Sequence, residues 1–548
     1  MKNITTKIIL TVVSIFVMTG TTQTNNKPIF ELVQSKKQIY HFKDYNLFSK
    51  SNYELVNVPQ GSVCLKINYE TQKRLLNSKP DNITLSIPFK ENKTVVLELV
   101  RTNILTDDFT LGVISNESTA LINYEGGLHY NGVIKDDKNS LVSISIFINY
   151  VMGVISDESG NYNLSPLNDR TKPGNYIIAN DRNINFQNSF TCGVDDYDPK
   201  FSPSKKIKDN RIIRQSDNTG GTANIYFECD FKMYQDFSSN TDSVMNYVSG
   251  FFNVVKTLYQ NETVPILISQ TFVWTTQDPY LALPTTIRIL KRFGATRQNN
   301  FNGHLAHLIS TRVPNLGGIG WLDVLCYPYS AADSSGPFAY SSIFTTYANF
   351  PVYSYTVQVV AHELGHNFAS KHTHACVWPI PGGIGALDSC YAVEGVCYMG
   401  PPIPRVGTIM SYCVFIAGGS ISFTLGFGPR PGDTIRAAYN TAPCVIGLEP
   451  ISSEIPSEFK LMQNFPNPFN PVTNIRFQIP KSTFVKLTVF DVNGKEIETL
   501  INQILNAGTY NYDWDANIYS SGVYFYRIET DPETSSGFTE SKKMVLIK

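Results

Sequence analysis

The sequence predicts a multidomain chain with a middle region of the α/β (α+β) class, a β-rich region before it and an all-β sandwich after it. Three observations carry this. Ala223–Phe227 and Val264–Ile268 read as strands around a helix whose apolar stripe is Val244, Val248, Phe252, Val255 and Leu258, with Asp242 near its start. Further on, Val357, Val360, Ala361 and Leu364 recur at helical spacing. Ile475, Phe477 and Ile479, then Val485, Leu487 and Val489, alternate at the strand period, with turns at Asn493-Gly494 and Ser521-Gly522.

A length of 548 residues suggests three or four domains. Hydrophobic content of 42% with 12% aromatics is ample for real cores. Net charge is −1, so no polarised surface is expected and nucleic acid is not an expected partner. Residues 1–22 read as a secretory signal peptide: Lys2 and Lys7 supply the positive end, Ile8 to Met18 the apolar core, and Thr19-Gly20-Thr21 the small residues near a cleavage point. An uncleaved anchor is the alternative, but the apolar stretch is too short for an obvious span and no later one is long enough. Nine cysteines fit an oxidising destination. Seven of them, Cys229, Cys326, Cys376, Cys390, Cys397, Cys413 and Cys444, fall in the middle region, where spacing cannot fix their pairing.

Upstream, short β-like runs such as Thr94–Val100 and Ser140–Phe147 alternate with polar turns. The basic stretch from Lys205 to Arg214 has little to bury and reads as an exposed, protease-sensitive linker. Residues 448–458 are short, polar and proline-bearing, which marks a second linker.

The chemistry concentrates between His362 and His372. His362 and His366 stand four apart, so on a helix both imidazoles leave one face and can grip one ion. A third ligand, His372, must come from beyond the helix end. Three neutral imidazoles leave the open position of a catalytic zinc site, whereas structural zinc sites are closed and commonly use thiolates. Glu363 is placed to act as general base. The bland alternative is a helix whose histidines face solvent.

Gly407-Thr408-Ile409-Met410-Ser411-Tyr412-Cys413 looks like the Met-turn of metzincin metalloproteases. Over roughly residues 222–445 the chain resembles a metzincin of the reprolysin/adamalysin (ADAM-like) branch. That resemblance implies a mixed sheet with flanking helices, an active-site helix, Zn2+ held by His362, His366 and His372, and protein or peptide substrates. It also implies the disulfides Cys326–Cys444, Cys376–Cys413 and Cys390–Cys397, with Cys229 left odd. Met410 is expected to pack beneath the histidines, because a thioether is a poor match for zinc held by imidazoles. Tyr412 either donates to a developing oxyanion or packs in the pocket wall. His304–Ser310 and Gly317–Leu322 look like the family's strand and cleft-edge segment, which would bind an extended peptide by main-chain pairing. His304 and His307 are expected to be fold histidines, and His374 a neighbour of the third ligand. The family has glycine where this chain has Ala369, at the turn that brings His372 round; positive φ there would cost alanine about 1 kcal/mol. Ca2+ is a further cofactor of many relatives, although Asn224 stands where their first-strand carboxylate would be.

Thr191-Cys192-Gly193-Val194-Asp195 looks like the cysteine switch of latent metalloproteases, in which a tethered thiolate takes the open position on the metal. A disulfide with Cys64 is the alternative. Gln463–Pro471, Gly508, Trp514-Asp515, Ser521–Arg527 and Lys543–Lys548 closely resemble the C-terminal sorting domain of type IX secretion substrates. An ordinary immunoglobulin-like adhesion module is the alternative to that sandwich. The resemblance implies a Gram-negative source, the type IX machinery as a partner, and a secreted or cell-surface location. The expected plan is a signal peptide (1–22), a propeptide with a cysteine switch (23–214), a catalytic domain (215–447), a linker (448–458) and a sorting domain (459–548). The expected function is a secreted zinc endopeptidase made as a zymogen. A catalytically inactive surface-binding protein on the same scaffold is the rival.

Overall fold

The structure, a computed structural model, describes residues 26–52, 58–90, 93–116, 118–167, 173–184, 192–194, 221–312, 317–344, 350–397, 403–442, 444–445, 456–481, 483–505, 507–516, 519–530 and 537–548. The expected signal peptide, the basic linker, Thr191 and Asp195 of the cysteine motif, and most of the linker at 448–458 lie outside them.

Ten strands between Lys43 and Asn180 form one sheet, antiparallel except where Lys43–Tyr45 pairs with Asn82–Lys90. The two upstream runs read from the sequence appear here as Lys93–Arg101 and Leu141–Ile146. Strands Leu141–Ile146 and Val151–Asp157 are buried almost throughout, because one face holds the core of this sheet and the other packs on a long helix further along the chain.

The sheet that carries the site has seven strands: β1 (Leu105–Ser115), β2 (Ser118–Ile122), β3 (Ala223–Cys229), β4 (Ile266–Trp274), β5 (Leu305–Ser310), β6 (Gly318–Gly320) and β7 (Phe338–Ser342). Their order is β6-β7-β5-β3-β4-β1-β2. It is mixed: β7, β5, β3, β4 and β1 run parallel, while β6 and β2 are antiparallel edges. Strands β5 and β7 are buried throughout and β3 and β4 at most positions, as in a sheet covered on both faces, whereas β1 is half-buried or exposed from Leu105 to Thr110. Helices α1 (Thr241–Asn261), α2 (Thr286–Arg297), α3 (Ser354–Asn367) and α4 (Pro429–Asn440) accompany this sheet. The whole stripe read for α1 is buried, and its N-cap is Asn240, whose side chain accepts from the N–H of Ser243. One core spans β1, β3, β4, β5, α1 and α3.

Downstream, a three-stranded and a four-stranded antiparallel sheet share a separate core that includes Phe477, Leu487, Trp514 and Tyr526. The alternating residues Ile475, Phe477, Ile479, Val485, Leu487 and Val489 all face inward, as their spacing predicts. Among the described residues, no helix is long and apolar enough to cross a membrane.

Candidate metal centre

Helix α3 is buried along its entire length. Val357, Val360, Ala361 and Leu364 fill the core, and the Tyr259 hydroxyl donates to the carbonyl of Ala361. The opposite side carries His362 and His366, whose ring centres are 4.9 Å apart. The helix then stops abruptly. The N–H of Ser370 bonds to the carbonyl of Gly365 at 2.9 Å and that of Ala369 to the carbonyl of His366 at 2.9 Å, the paired bonds of a Schellman turn. Ala369 occupies its left-handed position with φ 69°, so the turn does demand positive φ. The chain reverses there and brings His372 to the first two histidines.

Each ligand candidate is oriented from behind. His362 Nδ1 donates to the carbonyl of Ile409 at 2.8 Å, and His366 Nδ1 donates to that of Ser370 at 2.8 Å. His372 Nδ1 faces both oxygens of Glu394, at 3.2 and 3.3 Å. Carbonyls and carboxylates accept only, so every Nδ1 carries its proton and every Nε2 presents a lone pair. Burial keeps the ring of His362 neutral, with its pKa pushed down to about 3. Ligand atoms of Cys192, His362, His366 and His372 all lie within 4.8 Å of one another. His366 Nε2 is 3.2 Å from His372 Nε2, and Cys192 Sγ is 3.4 Å from His366 Nε2. Bond lengths of zinc to nitrogen and sulfur at a tetrahedral angle give edges of about 3.3 Å for N–N and about 3.5 Å for N–S. Those two edges match a tetrahedral zinc ion, and the remaining ligand atoms lie within 4.8 Å, so the group is one that could hold a metal ion.

Glu363 is fully buried, and burial raises its pKa to about 8. Its Oε2 accepts from the Cys192 thiol at 3.4 Å, while Oε1 is buried with no hydrogen bond. Burial, then the Glu363 carboxyl, push the Cys192 thiol well up. Cys192 is neither exposed nor bonded to Cys64; both thiols are free. Its backbone lies beside β6, with a parallel bridge from Cys192 to Gly318 and a hydrogen bond from the N–H of Gly193 to the carbonyl of Gly318 at 2.8 Å. Tyr412 accepts from the N–H of Cys192 at 2.9 Å, and its oxygen is 3.3 Å from His372 Nε2. The phenol thus reaches the centre instead of lining a distant wall.

Met410 packs under the helix, as expected: a Cβ on Gly365 would lie 2.7 Å from its sulfur. His304 Nδ1 accepts from the N–H of Asn224 and His307 Nε2 bonds Ser341, so both serve the fold. His374 stacks on His372 at 4.8 Å and shares Glu394 with it. The pairing Cys326–Cys444 is present. The pairings Cys376–Cys413 and Cys390–Cys397 are not: the bonds are Cys376–Cys397 and Cys390–Cys413. The reason is local. Ala375 bridges to Glu394, and the N–H of Cys376 donates to the Glu394 carbonyl at 2.8 Å, which draws Cys376 against Cys397. Cys390 is left with Cα 4.7 Å from that of Cys413. Cys229 is free, as expected.

Three contributions were not legible from motif spacing. Glu394 lies 22 residues past His372 and reaches it only through the disulfide-held loop. Gly318 and Gly320 let β6 press on α3, since a Cβ on Gly318 would overlap the Glu363 carboxylate and one on Gly320 would lie 2.7 Å from the Glu363 carbonyl. Asn367 ties α3 to the sheet through the carbonyls of Trp321 and Phe338. The glycine alternation Gly318-Ile319-Gly320 was the one available signal.

Residues 220–414 match the metallo-peptidase family M12 (Reprolysin_5), and residues 463–546 match the secretion system C-terminal sorting domain. The snake venom metalloproteinase acutolysin-C of Deinagkistrodon acutus is 23% identical over 308 residues, 53% of this chain and 70% of that protein. Disintegrin and metalloproteinase domain-containing protein 19 of Mus musculus is 22% identical over 317 residues, 54% of this chain but only 31% of its own length. Among solved structures, metalloproteinase-II from Bacteroides fragilis aligns with a TM-score of 0.35 and 10% identity, covering 56% of this chain and 86% of that one. Residues 220–414 are thus a reprolysin-type domain of metallo-peptidase family M12, and the chain is a zinc metalloendopeptidase whose sorting domain marks it as secreted or held at the cell surface.

Proposed function

We propose that the chain is a latent zinc endopeptidase in which His362, His366 and His372 hold the metal, Glu363 is the general base and Cys192 is the blocking group. The observation that carries this is the convergence of three imidazole Nε2 atoms, each with its Nδ1 proton held from behind. When bound there, zinc acidifies a water and polarises the scissile carbonyl. Glu363 Oε1, buried and without a hydrogen bond, is available to take a proton and pass it to the leaving amine.

Substrate would lie along β6. That edge strand pairs with β7 on one side and, on the other, with Cys192 and Gly193. Main-chain pairing there reads an extended peptide with little regard for side chains, so broad cleavage is expected. The Tyr412 hydroxyl, which accepts from the Cys192 N–H, would become a donor to the oxyanion once that strand leaves. Tyr412→Phe should then lower kcat more than it raises KM; an unchanged kcat removes this role.

In the plan we favour, residues 23–214 form the latency-conferring region, 215–447 the catalytic domain and 459–548 the sorting domain, recognised by type IX secretion machinery. The rival reading, an inactive surface binder, has no observation in its favour, since His362, Glu363, His366 and His372 are all in place. The test is Glu363→Gln in the activated enzyme, with metal content measured alongside. Loss of turnover at unchanged zinc is expected; full turnover by that variant would overturn the assignment of the base.

A further inference from the structure

The region upstream of residue 215 does more in this fold than deliver Cys192. Strand β1 belongs to it, yet β1 lies along the whole outer edge of β4, in register from Gln270 opposite Thr110 to Trp274 opposite Ile114. Main-chain bonds of 2.9 Å run from the N–H of Ile268 to the carbonyl of Ile104 and from that of Thr275 to the carbonyl of Ile114. Leu111 and Ile114 are buried in the same core as Phe227 and Val273.

Helix α1 has no free side. Fourteen of its residues are buried, because its far face packs on the ten-stranded sheet. Asn253 donates to the carbonyls of Tyr130 and Ile144, Thr257 bonds Ser143 at 2.8 Å, and a Cβ on Gly250 would overlap the sulfur of Met152. The active-site helix depends on the same region. Tyr353 at the N-cap of α3 offers no side-chain cap; instead, Asn163 Oδ1 accepts from the N–H of Tyr353 and of Ser354, both at 2.8 Å. Asn163 thus does for α3 what a capping residue does within a helix.

Losing this region would bare the β4 edge, the apolar back of α1 and the first amides of α3 together, a combination of exposed strand edge and apolar patch that soluble domains avoid. We propose that residues 26–184 are a permanent partner of the catalytic domain and stay bound after the chain is cut between residues 195 and 220. The working enzyme is then a two-chain complex, from which only the short strand at Cys192 and Gly193 withdraws. This goes beyond the latent-peptidase reading and is tested without any activity measurement.

The experiment uses the full chain with a site-specific protease sequence inserted between Lys208 and Arg211. After cutting, the protein is passed through gel filtration at physiological salt, and hydrogen exchange is followed at the amides of Gln270–Trp274. We expect both fragments to co-elute at the volume of the uncut chain, with protection of those amides unchanged. Separate elution of the upstream fragment overturns the proposal, whether the remainder stays folded or precipitates. Co-elution with freely exchanging β4 amides also overturns it, because the attachment would then not run through β1.

Discussion

Glu394 is the side chain whose removal speaks most clearly to how this centre is held. Its carboxylate sits behind His372, 3.2 Å and 3.3 Å from Nδ1, and 3.3 Å from His374 Nε2. Burial alone would raise its pKa, but the hydrogen bonds from His372 and His374 bring it well below the usual carboxylate range, so it is ionised at any working pH. Two main-chain bonds fix it: Cys376 donates to its carbonyl at 2.8 Å, and its own N–H donates to the carbonyl of His374 at 3.2 Å. Glu394→Gln keeps the shape and removes the charge. Loss of a partner behind a metal-bound imidazole weakens metal binding by about 10–100-fold. Here the distances exceed the 2.7–2.9 Å or so of a strong charge-assisted bond, and two rings share one carboxylate. The low end applies: about tenfold in Kd, or about 1.4 kcal/mol. The assay is competition of the metal-free chain with a chromogenic zinc chelator, in a Cys192→Ser background so that the thiol does not contribute. Melting temperatures of the metal-free proteins should agree, which separates a positioning role from damage to the fold. A Kd unchanged within about twofold would refute the reasoning.

Cys192→Ser alone should let the uncut chain hydrolyse a denatured protein while the parent stays silent; a silent variant that still binds zinc would show that something other than the thiol closes the cleft. Ala369→Gly relieves a residue at φ 69° and should raise stability by about 1 kcal/mol, so a melting temperature that stays put or falls contradicts the strain argument. His129 is buried against Ser145, and burial, then nearby Lys256, push its pKa down to about 3. A base depressed in the folded state contributes full stability above its unfolded pKa of 6.5 and loses it as pH falls toward 3. At about pH 4.5 the loss is roughly two units, or about 2.7 kcal/mol, and it falls on the junction between the upstream sheet and α1. Urea melts at about pH 7 and about pH 4.5 should show a smaller acid loss for His129→Gln than for the parent; equal losses would mean that His129 does not set the acid sensitivity.

The sequence was most legible where chemistry and periodicity coincide. His362, Glu363 and His366 announce themselves because an i, i+4 pair on a helix is both a structural and a chemical statement, and the buried stripe of α3 follows from the same spacing. The turn at Ala369 was legible through the family resemblance, which has glycine there; that its φ is positive, 69°, came from the structure. Cysteine pairing was not readable, since the choice between Cys397 and Cys413 as the partner of Cys376 rests on a main-chain bridge at Glu394 that no spacing encodes. Nor was the pairing of β1 with β4, which joins residues more than 150 positions apart in a sheet whose other strands looked complete. Long-range pairing depends on which edge is left bare after local structure forms, and that is a property of the assembled sheet.

The most direct test of the central claim is X-ray absorption at the zinc edge on the full-length chain, loaded with one equivalent of zinc and compared with Cys192→Ser. Three imidazole nitrogens at about 2.0 Å and one sulfur at about 2.3 Å are expected in the parent, with the sulfur replaced by oxygen in the variant. A shell without sulfur in the parent would contradict the role of Cys192, and fewer than three imidazoles would contradict the site at His362, His366 and His372.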